Sequence, residues 1–85
     1  MPELCRFYGL IISMYHNDHG VPHFHVRHGE FRAKIEIESE RIHGYLPPRA
    51  ISLALEWARP RRAELLENWH LARAGAELVR LTPLE

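Results

Sequence analysis

The chain reads as an α+β protein, a small antiparallel sheet of three to four strands with a helical pair or kinked helix packed on one face. Three observations predict this. Apolar and polar residues alternate through 23–27 and 31–37 on either side of Gly29-Glu30, the pattern of a half-buried hairpin. Pro47-Pro48 precedes apolar residues that recur at three- and four-residue spacing from Ile51 to Ala72, the pattern of helices with one buried stripe. The length of 85 residues, 46% hydrophobic and 26% charged, suits one ordered domain, 1–85. Within it, 1–46 is the β-rich part, 47–75 the helical part, and 76–85 a C-terminal tail or short strand.

The first strand is expected over Phe7–Tyr15, where aromatic and β-branched residues are dense. Its apolar residues fall on both parities, so both faces are expected to be covered. His16-Asn17-Asp18-His19-Gly20-Val21-Pro22 then reads as a loop. In the hairpin that follows, glycine at the first central position suits a type II′ turn and fixes a register. His28 should pair with Phe31, Val26 with Ala33 and Phe24 with Ile35, making an apolar face. The other face then sets Arg27 opposite Arg32, His25 opposite Lys34 and His23 opposite Glu36. A slip of one residue would turn Phe24 and Val26 into solvent, which excludes it.

Glu38–Arg41 reads as a second turn and Ile42–Leu46 as a returning fourth strand. The first helix carries Ile51, Ala54, Leu55 and Ala58 as a stripe, widened by Leu53 and Trp57. Pro60 either kinks it or separates it from a second helical segment over Arg61–Ala74. That segment turns Leu65, Leu66, Trp69 and Ala72 inward, and Gly75 ends it as the residue after the cap.

Eleven basic residues balance eleven acidic ones. This excludes a strongly basic nucleic-acid-coating protein and an acidic tail, while leaving room for a local basic patch. Cys5 is the single cysteine, so neither an internal disulfide nor a Cys-x-x-Cys zinc site is available. A core this small gains from pairing with a second copy or another protein. No apolar segment of signal-peptide length follows Met1, and the longest apolar run, Leu10–Ile12, cannot span a bilayer. A cytoplasmic protein without membrane contact is expected.

Seven histidines are present, five of them between His16 and His28. One reading of Asp18-His19-x-x-x-His23-x-His25 is a transition-metal site such as zinc, because alternate residues of a strand point the same way and imidazole is the commonest ligand. Two facts weigh against it. Lys34 is expected opposite His25, and no His-Glu-x-x-His motif is present. A second reading needs no cofactor: Arg27, Arg32 and Lys34 bind an anion or a nucleic-acid backbone. In a hydrolytic version, His23 and His25 act as the catalytic acid and base on a phosphodiester. The plain alternative is a solvated face with stray histidines. Arg49, Arg59, Arg61 and Arg62 form a further basic group on the helical part, read as a solvated face or a phosphate contact.

The chain resembles a bacterial family of short proteins catalogued as domain of unknown function 4160. The residues that carry the likeness are Arg6-Phe7-Tyr8-Gly9, Met14-Tyr15 and, above all, Asp18-His19-x-x-Pro22-His23-Phe24-His25-Val26. Gly29-Glu30, Leu46-Pro47-Pro48 and Glu64-Leu65-Leu66-x-Asn68-Trp69 extend it over nearly all of the sequence. Val21 stands where members usually have a second proline. The resemblance implies a gene lying beside a second small gene in arrangements that look like toxin–antitoxin modules. The expected function is accordingly a component of such a module, acting through a protein partner encoded nearby and through nucleic-acid contact. The alternative is a histidine-based hydrolase, with or without a metal, acting on a phosphodiester.

Overall fold

The computed structural model describes residues 3–85. Five strands run in order across one antiparallel sheet: β1 (Glu3–Phe7), β2 (Leu10–Ser13), β3 (His23–His28), β4 (Phe31–Glu36) and β5 (Ile42–Tyr45). Helix α1 (Pro48–Ala58) passes through a single 3-10 turn, Arg59–Arg61, into α2 (Arg62–Arg73). The α+β class and the helical part stand as expected, and the strand count is higher than the three to four expected.

The extra strand comes from a turn hidden inside the expected first strand. Tyr8 and Gly9 have φ of 47° and 81°, positive at both central positions as a type I′ hairpin turn requires. Phe7 then pairs with Leu10, Arg6 with Ile11 and Cys5 with Ile12. A two-residue turn puts odd residues of one strand on the same face as even residues of the next, which is why the apolar residues fell on both parities. At the start of β1 the register shifts between Glu3 and Cys5. The extra residue, Leu4, is fully buried beside Cys5.

The β3–β4 hairpin has the expected register at all six pairs, from His23 with Glu36 to His28 with Phe31. Gly29 alone of the two turn residues has positive φ, 61°, as a type II′ turn demands. Leu10, Ile12, Phe24, Val26, Ala33 and Ile35 are buried on one face together with Ala54, Trp57 and Leu65 of the helices. Trp57 is the hub. Its ring lies 5.7 Å from Phe7 and 6.0 Å from Phe24, and its indole N–H donates to the Thr82 carbonyl at 2.8 Å.

Pro60 separates two helices because it sits in the 3-10 turn, where its missing N–H breaks the i to i−4 ladder. Gly75, at φ 75°, ends α2 as expected, with Gly75 N–H donating to Ala72 and Ala76 N–H to Leu71, a Schellman motif. The tail beyond it runs without regular secondary structure. Its backbone touches the sheet through the Leu81 N–H, which donates to the Leu4 carbonyl at 3.0 Å. No helix of the described residues is long and apolar enough to cross a membrane.

Candidate functional site

With the helices on one face, the other face of the sheet is open, and two rows of side chains cross it. The first follows the pairings Glu3–Ser13, Ser13–His25, His25–Lys34 and Lys34–His43. The second follows Arg6–Ile11, Ile11–Arg27, Arg27–Arg32 and Arg32–Tyr45. Between them lies a groove of about 550 Å³ that also includes Tyr15. Strand parity produces this layout, since residues two apart share a face.

Arg27, Arg32 and Lys34, expected to bind an anion, all line this groove. They are exposed, and among the described residues none lies within ion-pair distance of a carboxylate. Arg6 also lines it but holds Glu3 in two hydrogen bonds of 2.7 and 2.8 Å. That pair keeps the Glu3 carboxyl below its usual range. Glu36 is likewise engaged, by Ser39 at 2.6 Å and His43 at 2.8 Å. The groove therefore carries three cations with no acidic partner inside a chain of zero formal charge.

The histidine motif is placed differently from expectation. His23 and His25 do not form an outward pair. His23 is only 5% exposed, because Trp69 of α2 packs its ring 5.0 Å away. His25 is half-buried under Tyr15, whose ring lies 4.6 Å away. Of the two, only His25 lines the groove. Strand parity alone missed this, since nothing in the hairpin pattern says that α2 reaches the first residue of β3.

Asp18 joins them. Its Oδ2 accepts from the Tyr15 backbone N–H at 3.2 Å and from His25 Nε2–H at 3.0 Å. It lies 3.7 Å from His23 Nε2. Burial lowers the His25 pKa, its bond to Asp18 raises it, and the charges of His23 and Lys34 lower it further, leaving it below the usual histidine value. On the other side of the His23 ring, Nδ1–H donates to the Val21 carbonyl at 2.9 Å. Asp18, His23 and His25 each offer one donor atom, all within 4.8 Å of one another. His19, the fourth residue expected as a ligand, is exposed and outside this group.

A family model described as Domain of unknown function (DUF4160) matches residues 9–70. The chain belongs to that family. The DUF4160 match takes in the Asp18–His25 motif, the groove cations of β3 and β4, and most of both helices. It is narrower than the resemblance implied, stopping short of β1 and the C-terminal tail. Comparison with curated proteins and with solved structures finds no match.

The remaining histidines and the helical arginines have structural partners or none. His16 Nε2–H donates to the Ala76 carbonyl at 3.0 Å and His28 Nδ1–H to that of Gly9 at 3.3 Å. Arg59 binds Glu40 twice at 2.9 Å, and Arg62 reaches the same carboxylate at 3.5 Å. Arg61 donates to the Trp57 carbonyl at 2.8 Å with its guanidinium 5.5 Å from the indole centroid. Three of the four helical arginines are thus engaged within the fold, whereas Arg27, Arg32 and Lys34 share one groove without a carboxylate partner among the described residues. Arg6, Ser13, Tyr15 and His43 were not expected as groove residues from sequence. Recognising Tyr8-Gly9 as a turn would have put Arg6 on this face.

Proposed function

We propose that this DUF4160 protein binds the phosphodiester backbone of a nucleic-acid strand across the open face of its sheet, as the nucleic-acid-contacting member of a cytoplasmic toxin–antitoxin-like pair. The observation that carries the reading is the set of unpaired cations, Arg27, Arg32 and Lys34, gathered in one groove. Arginine offers planar, two-pronged donation to phosphate oxygens, and lysine adds a point charge. A net-neutral chain that leaves these charges unpaired on one face has the electrostatic footprint of a strand-binding site. Tyr15, at the margin of that groove, offers a ring against which a base can stack.

The partner protein has a surface of its own in this reading. Phe31 and Tyr45 are exposed and stack edge to face at 5.4 Å beside strand β5. Among the described residues that strand has no neighbour on its outer side, so it offers backbone donors and acceptors to a partner strand. A second copy of the chain would be held the same way.

The test is fluorescence anisotropy with a labelled single-stranded RNA oligonucleotide. The wild type should bind with an affinity that falls as salt rises, at a log–log slope of about −2 if three phosphates are neutralised. Arg27→Ala/Arg32→Ala should weaken binding and flatten that slope. Salt-independent binding, or a double variant that binds like wild type, would contradict the reading.

A second reading, hydrolysis of the bound strand, is favoured by the Asp18–His25 hydrogen bond of 3.0 Å at the groove wall. His25 is the residue of the expected catalytic pair that lines the groove, while His23 is enclosed. An RNA strand cleaved by wild type and left intact by a folded His25→Ala variant would support it. Equal cleavage by both would remove it.

A further inference from the structure

His23 poses a problem that the groove does not solve. Its Nδ1–H is committed to the Val21 carbonyl at 2.9 Å, so the neutral ring presents a bare lone pair at Nε2. That atom is buried and has no hydrogen-bond partner. Buried polar atoms are nearly always satisfied, and one that is not calls for an explanation. The nearest polar atom, Asp18 Oδ2 at 3.7 Å, is itself an acceptor. Two lone-pair donors face each other with no proton between them.

We propose that Asp18 Oδ2, His23 Nε2 and His25 Nε2 form a binding site for one divalent transition-metal ion of the zinc type. Zinc takes nitrogen and oxygen ligands at ~2.0–2.2 Å, which places donors ~3.3 Å apart along a tetrahedral edge. The carboxylate oxygen lies 3.0 Å from His25 Nε2 and 3.7 Å from His23 Nε2, and no donor pair exceeds 4.8 Å. Small side-chain rotations close that spread. The Nδ1–H bond from His23 to a backbone carbonyl is the outer-shell contact that fixes tautomer and ring orientation in histidine ligands. Trp69 and Tyr15, packed on the two imidazoles at 5.0 and 4.6 Å, hold the rings in place.

Binding moves one proton. The proton that His25 now donates from Nε2 to Asp18 moves to its Nδ1, through solvent, so the ring stays neutral and Nε2 becomes a ligand. One carboxylate and two neutral imidazoles leave a net single positive charge on the occupied site. Lys34, on the neighbouring strand opposite His25, is exposed, so its ammonium is free to extend into water. Three protein ligands leave a tetrahedral ion one position for water. The site rests on these three residues and not on nucleic-acid binding, so either conclusion can fail alone.

The experiment titrates zinc into untagged, chelator-stripped protein by calorimetry, and records visible absorption with cobalt(II) in its place. Wild type should bind one zinc per chain and give the intense bands of tetrahedral cobalt. Asp18→Asn, nearly the same shape, and His25→Ala should each lose more than the ~10–100-fold in affinity that removal of an outer-shell partner costs. His70→Ala, an exposed histidine on α2, should bind like wild type. Circular dichroism of the metal-free proteins checks that the variants fold. If a variant does not fold, the wild-type stoichiometry and cobalt spectrum still decide. No stoichiometric zinc binding by wild type, an octahedral cobalt spectrum, or unchanged affinity in folded Asp18→Asn and His25→Ala would overturn the proposal.

Discussion

Asn68 holds Val79 by both of its backbone groups. The Asn68 side-chain amide donates to the Val79 carbonyl at 2.9 Å and its oxygen accepts the Val79 N–H at 2.8 Å. Asn68 is fully buried on α2, so a polar side chain completes the inner face of an otherwise apolar stripe and pins the C-terminal tail. Val79 itself is exposed, and its freed backbone groups would find water. Asn68→Ala should therefore cost about 1–2 kcal/mol, near the net value of the lost hydrogen bonds rather than a full burial penalty. Denaturant unfolding measures the loss, and hydrogen exchange should show the Val79 amide unprotected. A protected Val79 amide in the variant would contradict this account of the tail.

Gly44 is required by its neighbours on β4. A Cβ at this position would stand 2.7 Å from the Arg32 carbonyl oxygen and 2.9 Å from the Ala33 Cα, and φ is +110°. Gly44→Ala should destabilise by about 2–3 kcal/mol from backbone strain alone, with the β4–β5 pairing disturbed. Unfolding by urea tests it; a variant as stable as wild type would show that β5 does not lie as described.

Glu40 anchors the turn after β4 to the helices through Arg59, and that guanidinium holds its carboxyl below the usual range. A carboxyl with a lowered folded-state pKa contributes stability above its unfolded pKa of about 4.3, and loses it as pH falls through the folded value. Glu40→Gln should be less stable than wild type at pH 7, and the difference should vanish in acid. Thermal melts of both proteins across that range check the sign. A gap that widened in acid would refute it.

Cys5 lies in the core, and burial pushes its thiol pKa up to about 11. Reactivity follows the thiolate, so the native protein should resist a disulfide-exchange reagent at pH 8 and react at the rate of unfolding. Prompt reaction in native buffer would place Cys5 outside the core.

Much of this was legible in the residues. The β3–β4 register followed from Gly29 and the placing of Phe24, Val26, Ala33 and Ile35, because a half-buried hairpin admits one parity. The helices followed from their stripes, Pro60 and Gly75. The Tyr8-Gly9 turn was not legible, since tyrosine is an uncommon choice for a left-handed turn position, and a strand count one short was the result. Nor was the burial of His23. It depends on Trp69, forty-six residues later, and local alternation carries no information about a contact that distant. The same contact turns an apparent surface histidine into a buried one with an unused lone pair. His19, adjacent to Asp18 in sequence, points elsewhere because loop residues follow no fixed period.

The proposed nucleic-acid site on the sheet face opposite the helices makes a spatial prediction. Amide chemical shifts followed by NMR while single-stranded RNA is added test it most directly. Shifts should concentrate at Ile11, His25, Arg27, Arg32, Lys34 and His43, with Ile51, Glu56 and His70 of the helices unmoved. Shifts confined to the helical face, or none at RNA concentrations well above that of the protein, would contradict it.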